Sequence, residues 1–278
     1  KTAWGGKSLH TDFRSPSAGP YAFTEQQKEG FEKQGKDYKQ IKAEKGHETG
    51  LYYRLMIEHV ERVLLDIKEV YPGYDAQYGY ELAGMVWFQG WNDMVDRGAY
   101  PDRDRPGGYD RYSEALGHFI RDVRRDLSAP DLPFVIGVIG VGGPVKNYGA
   151  AQKRYAGIHQ YFRSAMAAPA TWPEFDGNVS SVLTENYWYM ELTALRARDA
   201  ELNQKMKQLV SNGNLQKKEQ QSMREKLRAE MFTKRELETL QKGVSNQEYH
   251  YLGSAKIMAQ IGRGFAESIA QLMGPSSN

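Results

Sequence analysis

Three short stretches carry residue types that can do chemistry. The first is "QGWND", Gln89 to Asp93, which follows directly on the apolar run "MVWF". A strand that ends in Asn92 and Asp93 places an amide donor and a carboxylate at its exit. An asparagine N–H aimed at an oxygen that gains negative charge during acyl transfer is an oxyanion donor, and a neighbouring glycine lets backbone approach closely. The same residues can equally form an Asx turn or cap the next helix. The second stretch is "WGGKS", Trp4 to Ser8. It fails the phosphate-loop pattern, because the first glycine of that pattern would fall at position 1, which is Lys. Gly5 and Gly6 remain as a tight turn or a pair of backbone N–H donors. The third is His250, in the turn-like "VSNQEYH" ahead of the final helix. From there a side chain can reach over a sheet edge as a general base, or can serve only in capping or packing.

The elements that must position these residues are short apolar runs separated by segments of helical period. "ELAGMVWF" (81–88), "PFVIGVIG" (133–140) and "VSSVLTE" (179–185) read as buried strands. "LYYRLMIEHVERVLLDIKEVY" puts Leu51, Leu55, Val63, Leu64, Ile67 and Val70 on one helical face. "GGYDRYSEALGHFIRDVRRDL" does so with Tyr112, Leu116, Phe119, Ile120 and Val123. The alternation is βαβ, which predicts a parallel sheet. In such a sheet the loops leaving the carboxyl ends converge on a ligand crevice, and "QGWND" occupies one of those ends. A last helix follows His250, with Leu252, Ile257, Met258, Ile261, Phe265, Ile269 and Leu272 on its apolar side.

Two segments lie outside this scheme. Residues 23–50 and 190–243 are rich in Lys, Glu and Gln with thin apolar stripes. They read as charged helical insertions that cover a sheet edge, pair with each other, or form a lid or an oligomerisation arm. "SNGN" (Ser211 to Asn214) is the plainest turn in the longer one.

Composition bounds the function. The chain has 278 residues, 40% of them hydrophobic, enough for a proper core. A net charge of +2 with 26% charged residues argues against a nucleic-acid binder, which would gather a basic stripe. The absence of cysteine excludes disulfides, thiol nucleophiles and thiolate metal sites. His59 and His118 sit in amphipathic helices, and His10, His47 and His159 have no partner at metal-ligand spacing, so no metal or cofactor is assigned. No apolar stretch reaches the roughly 18 residues of a membrane span.

Taken together, Gly90-Trp91-Asn92-Asp93 is similar to the G-x-N-D block of the SGNH hydrolase superfamily. The preceding "WFQG" resembles the sialate O-acetylesterase-like carbohydrate esterases within it. The order "WGG", "WFQGWND" and a late histidine is the order of those enzymes. The resemblance implies a three-layer α/β/α, SGNH/flavodoxin-like fold, here one domain over residues 1–278 with insertions at about 23–50 and 190–243. It implies a serine carboxylic ester hydrolase acting on acetylated carbohydrate, and it weakly favours a periplasmic or extracellular location. It makes Asn92 the side-chain oxyanion donor, Gly6 the backbone donor (Gly5 less so) and His250 the general base. Gln89, Trp91 and Asp93 would line or brace the pocket.

Two departures accompany the resemblance. The family's acid lies three residues before the histidine, where this chain has Gln247. A glutamine can fix a tautomer but brings no charge, and Glu248, Asp93 or a backbone carbonyl are alternative partners. The family's nucleophile sits in a serine-containing glycine turn upstream of "WGG", and no serine here occupies such a turn; Ser8 follows the wrong strand. The expectation is therefore an N-terminally truncated esterase, inactive as it stands, whose nucleophile lies upstream of Lys1 and whose first residues are the tail of a buried strand. A non-catalytic carbohydrate-binding or interaction protein on the same fold is the alternative.

Overall fold

The computed structural model describes residues 3–213 and 216–274. By chain contacts it forms two compact units. The first comprises Lys1–Ile139, Pro144–Thr184 and Gly264–Asn278, and the second Gly140–Gly143 and Glu185–Arg263.

The first unit holds a parallel sheet in the order β1 (Met85–Trp87), β2 (Phe134–Val138), β3 (Val179–Leu183). These lie inside the three expected apolar runs. Met85 pairs with Phe134 and Trp87 with Ile136, and on the other edge Phe134 pairs with Val179 and Val138 with Leu183. Every residue of β2 is buried, as a central strand covered on both faces requires.

One face is covered by α5 (Asp110–Asp126). Its Tyr112, Leu116, Phe119, Ile120 and Val123 are all fully buried, and burial of such side chains contributes about 1.5–3 kcal/mol apiece. The Phe119 ring lies 4.3 Å from that of Trp87 and 6.3 Å from Phe134. On the opposite face, the ring of Phe265 in α11 (Ala255–Leu272) lies 5.3 Å from Phe88. Helices on both faces of a parallel sheet make the α/β/α arrangement.

The first unit also contains α1 (Glu25–Lys33), α2 (Tyr38–Glu48), α3 (Leu51–Leu65), the short α4 (Trp91–Val95), α6 (Ala150–Lys153) and α7 (Ala156–Ala167). Local sequence sets where these begin. Thr24 and Gln27 form a reciprocal capping box at α1, and Asp37 caps α2 through the N–H groups of Lys39 and Gln40.

Two expectations need correction. In α3 the buried residues are Tyr53, Met56 and Ile57, while Leu51, Leu55 and Val70 are exposed. The helix turns the larger Tyr53 inward, where its ring meets Phe119 at 5.6 Å and its hydroxyl donates to Asp126 at 2.7 Å. The second concerns the opening residues: Ala3 and Trp4 are irregular and Gly5-Gly6 form a turn, so no strand tail is found among the described residues there; Lys1 and Thr2 lie outside them.

The second unit is built from α8 (Met190–Gly213), α9 (Lys217–Met231) and α10 (Lys234–Lys242) around a small core of Leu195, Leu202, Met206 and Phe232. Leu195, Leu202 and Met206 recur at helical spacing, so a thin stripe suffices for helices that pair with each other. The Arg198 guanidinium lies over the Phe232 ring at 4.7 Å and donates to Glu236 at 2.7 Å and to the Met231 carbonyl. Of the "SNGN" turn, Ser211 to Gly213 complete α8, and Asn214 lies outside the described residues. The unit also carries the turn with His250 and the first half of α11.

Candidate active site

The first unit brings the "WGG" turn and the "QGWND" turn together. β1 ends at Trp87, and α4 starts at Trp91 immediately after Gly90. A Cβ at position 90 would lie 2.8 Å from a ring carbon of Phe162 and 3.3 Å from the Met166 methyl, so only glycine lets the chain turn this close to α7. Asn92 therefore sits in the first turn of α4, partly exposed. Its amide hydrogen-bonds to no described residue.

Gly6 adopts φ +74, a left-handed conformation that favours glycine. A Cβ there would lie 3.9 Å from Asn92 Nδ2. The two donors expected to share an oxyanion are thus neighbours across about 86 residues of sequence.

Asp93 cross-links the two turns. It is fully buried. Its Oδ2 accepts from the Leu9 N–H at 2.8 Å and from Gln89 Nε2 at 2.7 Å. Its Oδ1 accepts from the His10 N–H at 3.1 Å, His10 Nδ1 at 2.8 Å and the Tyr100 hydroxyl at 3.3 Å. Gln89 Nε2 also donates to the Lys7 carbonyl at 2.9 Å. Gln89 and Asp93 therefore brace the turn of Lys7 to His10 from within, whereas Trp91 is half-buried against the core.

Sequence spacing gave no sign of His10. Its Nε2 lies 3.2 Å from Asp96 Oδ2, so both ring nitrogens face carboxylates. Burial pushes its pKa down, and the hydrogen bonds to Asp93 and Asp96 outweigh this and raise it to about 9. The His10 contact in turn lowers Asp96 to about 2, helped by the N–H groups of Ala99 and Gly98. An imidazolium whose two N–H groups are both committed is an anchor, not a base.

A stability prediction follows. The folded pKa of His10 lies above its unfolded value near 6.5, so its contribution is complete below pH 6.5 and is lost as pH rises through 9. Unfolding free energy of the wild type should fall by about 3 kcal/mol over that interval. His10→Gln should remove most of this slope in urea titrations at pH 6 and 9.5; an unchanged slope would place the titrating group elsewhere.

His250 belongs to the second unit. It is exposed, and its Nδ1 lies 3.0 Å from Asn246 Oδ1. That contact makes Nδ1 the protonated nitrogen and leaves the Nε2 lone pair open. Gln247 touches the histidine only through its carbonyl, which accepts from the His250 N–H at 3.0 Å. The reason is the turn itself. Tyr251 and Leu252 both have left-handed backbone, φ 51 and φ 61, so the segment is not a regular helix. Such conformations are costly for non-glycine residues and are held by their surroundings. Here the Ser245 and Asn246 N–H groups donate to the Leu252 carbonyl at 2.8 and 3.0 Å. The Tyr251 hydroxyl accepts from the Gly140 N–H at 2.8 Å.

Ser8 is buried and its hydroxyl donates to Asp12 at 3.0 Å. Among the described residues no histidine hydrogen-bonds to it. The exposed Ser17 hydroxyl does meet a histidine, His118 Nδ1 at 2.9 Å, but the Ser17 N–H is already committed to Asp122 at 2.8 Å.

Residues 41–168 match the family model of the carbohydrate esterases described as sialic acid-specific acetylesterase. The match takes in β1, "QGWND", α5 and β2, while Gly6, His10 and His250 lie outside it. No curated protein and no solved structure matches the chain.

Proposed function

We propose, for a chain whose residues 41–168 match the family model of the carbohydrate esterases described as sialic acid-specific acetylesterase, that it serves a serine carbohydrate O-acetylesterase. The observation that carries the reading is the Asn92 amide, unbonded to any described residue and adjacent to the left-handed turn at Gly6. Two neighbouring donors, one on each of two turns cross-linked by the buried Asp93, suit the developing charge of a tetrahedral intermediate.

In this reading a serine Oγ in a glycine turn of the family's type attacks the acetyl carbonyl. His250 Nε2 takes the serine proton as the C–O bond to the acyl carbon forms. Asn92 Nδ2–H and Gly6 N–H hold the oxyanion. The C–O bond to the sugar then breaks, and His250 returns the proton to the leaving hydroxyl. Water repeats the sequence on the acyl-enzyme, releasing acetate. The half-exposed Trp91 would offer the sugar an apolar face, with Gln89 and Asp93 bracing the donors.

Asn246, rather than Gln247, holds the tautomer of His250, and it brings no charge to the imidazolium. Asn246→Asp should therefore raise kcat/KM by about tenfold or more and move the acid limb of the pH profile upward. The check is 4-nitrophenyl acetate hydrolysis by the gene-encoded polypeptide across pH 5 to 9; a decrease in kcat/KM would contradict the role of Asn246.

The amide at this position also favours a second reading, a carbohydrate-binding protein without catalysis. Labelling the gene-encoded polypeptide with a fluorophosphonate separates the two. A covalent serine adduct lost in His250→Ala supports the esterase, and no adduct supports the binding protein.

A further inference from the structure

His10 lies at the junction of the two turns that carry the proposed oxyanion donors. Asp93, the residue after Asn92, bonds both the backbone and the ring of His10. Asp96, at the end of α4, takes the other ring nitrogen and is itself fixed by the Gly98 and Ala99 N–H groups at 2.8 and 2.9 Å. Tyr100 and Tyr21 close over the ring with centroids 5.6 and 5.8 Å away. The guanidinium groups of Arg14 and Arg111 act on Tyr21 and Tyr100, and the Lys45 ammonium lies over the Tyr21 ring at 5.3 Å. One cation thus joins two carboxylates of α4 to the turn that begins at Gly6.

We infer that His10 is a positioning residue for the oxyanion site, its imidazolium fixing the Asn92 turn against the Gly6 turn so that the two donors keep their spacing only while His10 is charged. A neutral ring donates through one nitrogen only. A lone pair turned on Asp93 meets a carboxylate with no exposure to water, and one turned on the partly exposed Asp96 gives up the contact that ties the end of α4 to the turn. The two carboxylates then repel, and the release falls on the segment that holds Asn92. Above the His10 transition, raised to about 9 by its two carboxylates against the opposing effect of burial, the donor pair loosens.

The inference rests on the proposed roles of Asn92 and Gly6, and its test does not require hydrolysis. Carbon-detected NMR on the uniformly labelled 278-residue chain would follow the His10 ring, Asn92 Cγ and Gly6 Cα from pH 6 to 10.5. The expected result is one shared midpoint near 9 for all three, with the Asn92 and Gly6 transitions absent in His10→Gln. Asp96→Asn, which keeps the Asp93 contact, should lower the His10 midpoint and carry the other two with it. Asn92 and Gly6 signals that stay flat while His10 titrates would overturn the inference, as would a transition that persists in His10→Gln or fails to follow His10 in Asp96→Asn. The shared transition with no acetate released by the gene-encoded polypeptide would refute the esterase but not the coupling, and acetate release without the transition the reverse.

Discussion

His250→Ala in the gene-encoded polypeptide is expected to lower kcat for acetyl ester hydrolysis by about 10⁴-fold or more, the scale seen when the base of a serine triad is removed. The physical ground is that nothing else can take the serine proton in this reading, whereas the fold does not depend on the imidazole. His250 is exposed, its ring bonds Asn246 and packs on Tyr249 at 4.5 Å, and the buried side chains of its turn are those of Tyr251 and Leu252. The midpoint of thermal unfolding should therefore stay unchanged, and KM should change little. Steady-state kinetics with 4-nitrophenyl acetate decide the matter. A loss below tenfold would move the base to another residue.

Asn92→Ala is expected to cost about 10²- to 10³-fold in kcat, equivalent to about 2.7–4 kcal/mol of transition-state stabilisation. The donor acts only once the carbonyl oxygen becomes an oxyanion, so the loss should appear in kcat rather than KM. Asn92 is a better probe than Gly6. Any side chain at position 6 must adopt φ +74, and the resulting strain would mix a fold defect with a lost donor. The Asn92 amide bonds to no described residue, so its removal should leave unfolding free energy nearly untouched. Activity close to wild type would refute the oxyanion role.

Much of the architecture was legible because its signals are local. The strands announced themselves as apolar runs, and α5 as a stripe of five apolar side chains that are all fully buried. "QGWND" could be placed at a strand exit because the run breaks at Gly90, and the contact with Phe162 shows why a glycine is needed there. The face of α3 was misjudged because hydropathy ranks Leu51 and Leu55 above Tyr53. Tyr53 can bury its ring and still satisfy its hydroxyl on Asp126.

The parts that escaped are non-local or irregular. His10 and Asp93 are 83 positions apart, and no spacing rule links an unremarkable histidine in one turn to a carboxylate in another. Asp93 was visible as a residue that should line or brace a pocket, but its five donors were not. The partner of His250 was sought three residues upstream because that spacing suits the family's pattern. The left-handed backbone at Tyr251 and Leu252 accompanies a turn in which Asn246, four residues upstream, meets the imidazole.

The most direct test is release of acetate from an O-acetylated sugar by the gene-encoded polypeptide, followed by proton NMR beside the His250→Ala and Asn92→Ala variants. The account predicts acetate and free sugar in equal amounts from the wild type, with release depressed by about 10⁴-fold and by about 10²- to 10³-fold in the two variants. Binding of the acetylated sugar with no acetate released, or release that both variants retain, would contradict it.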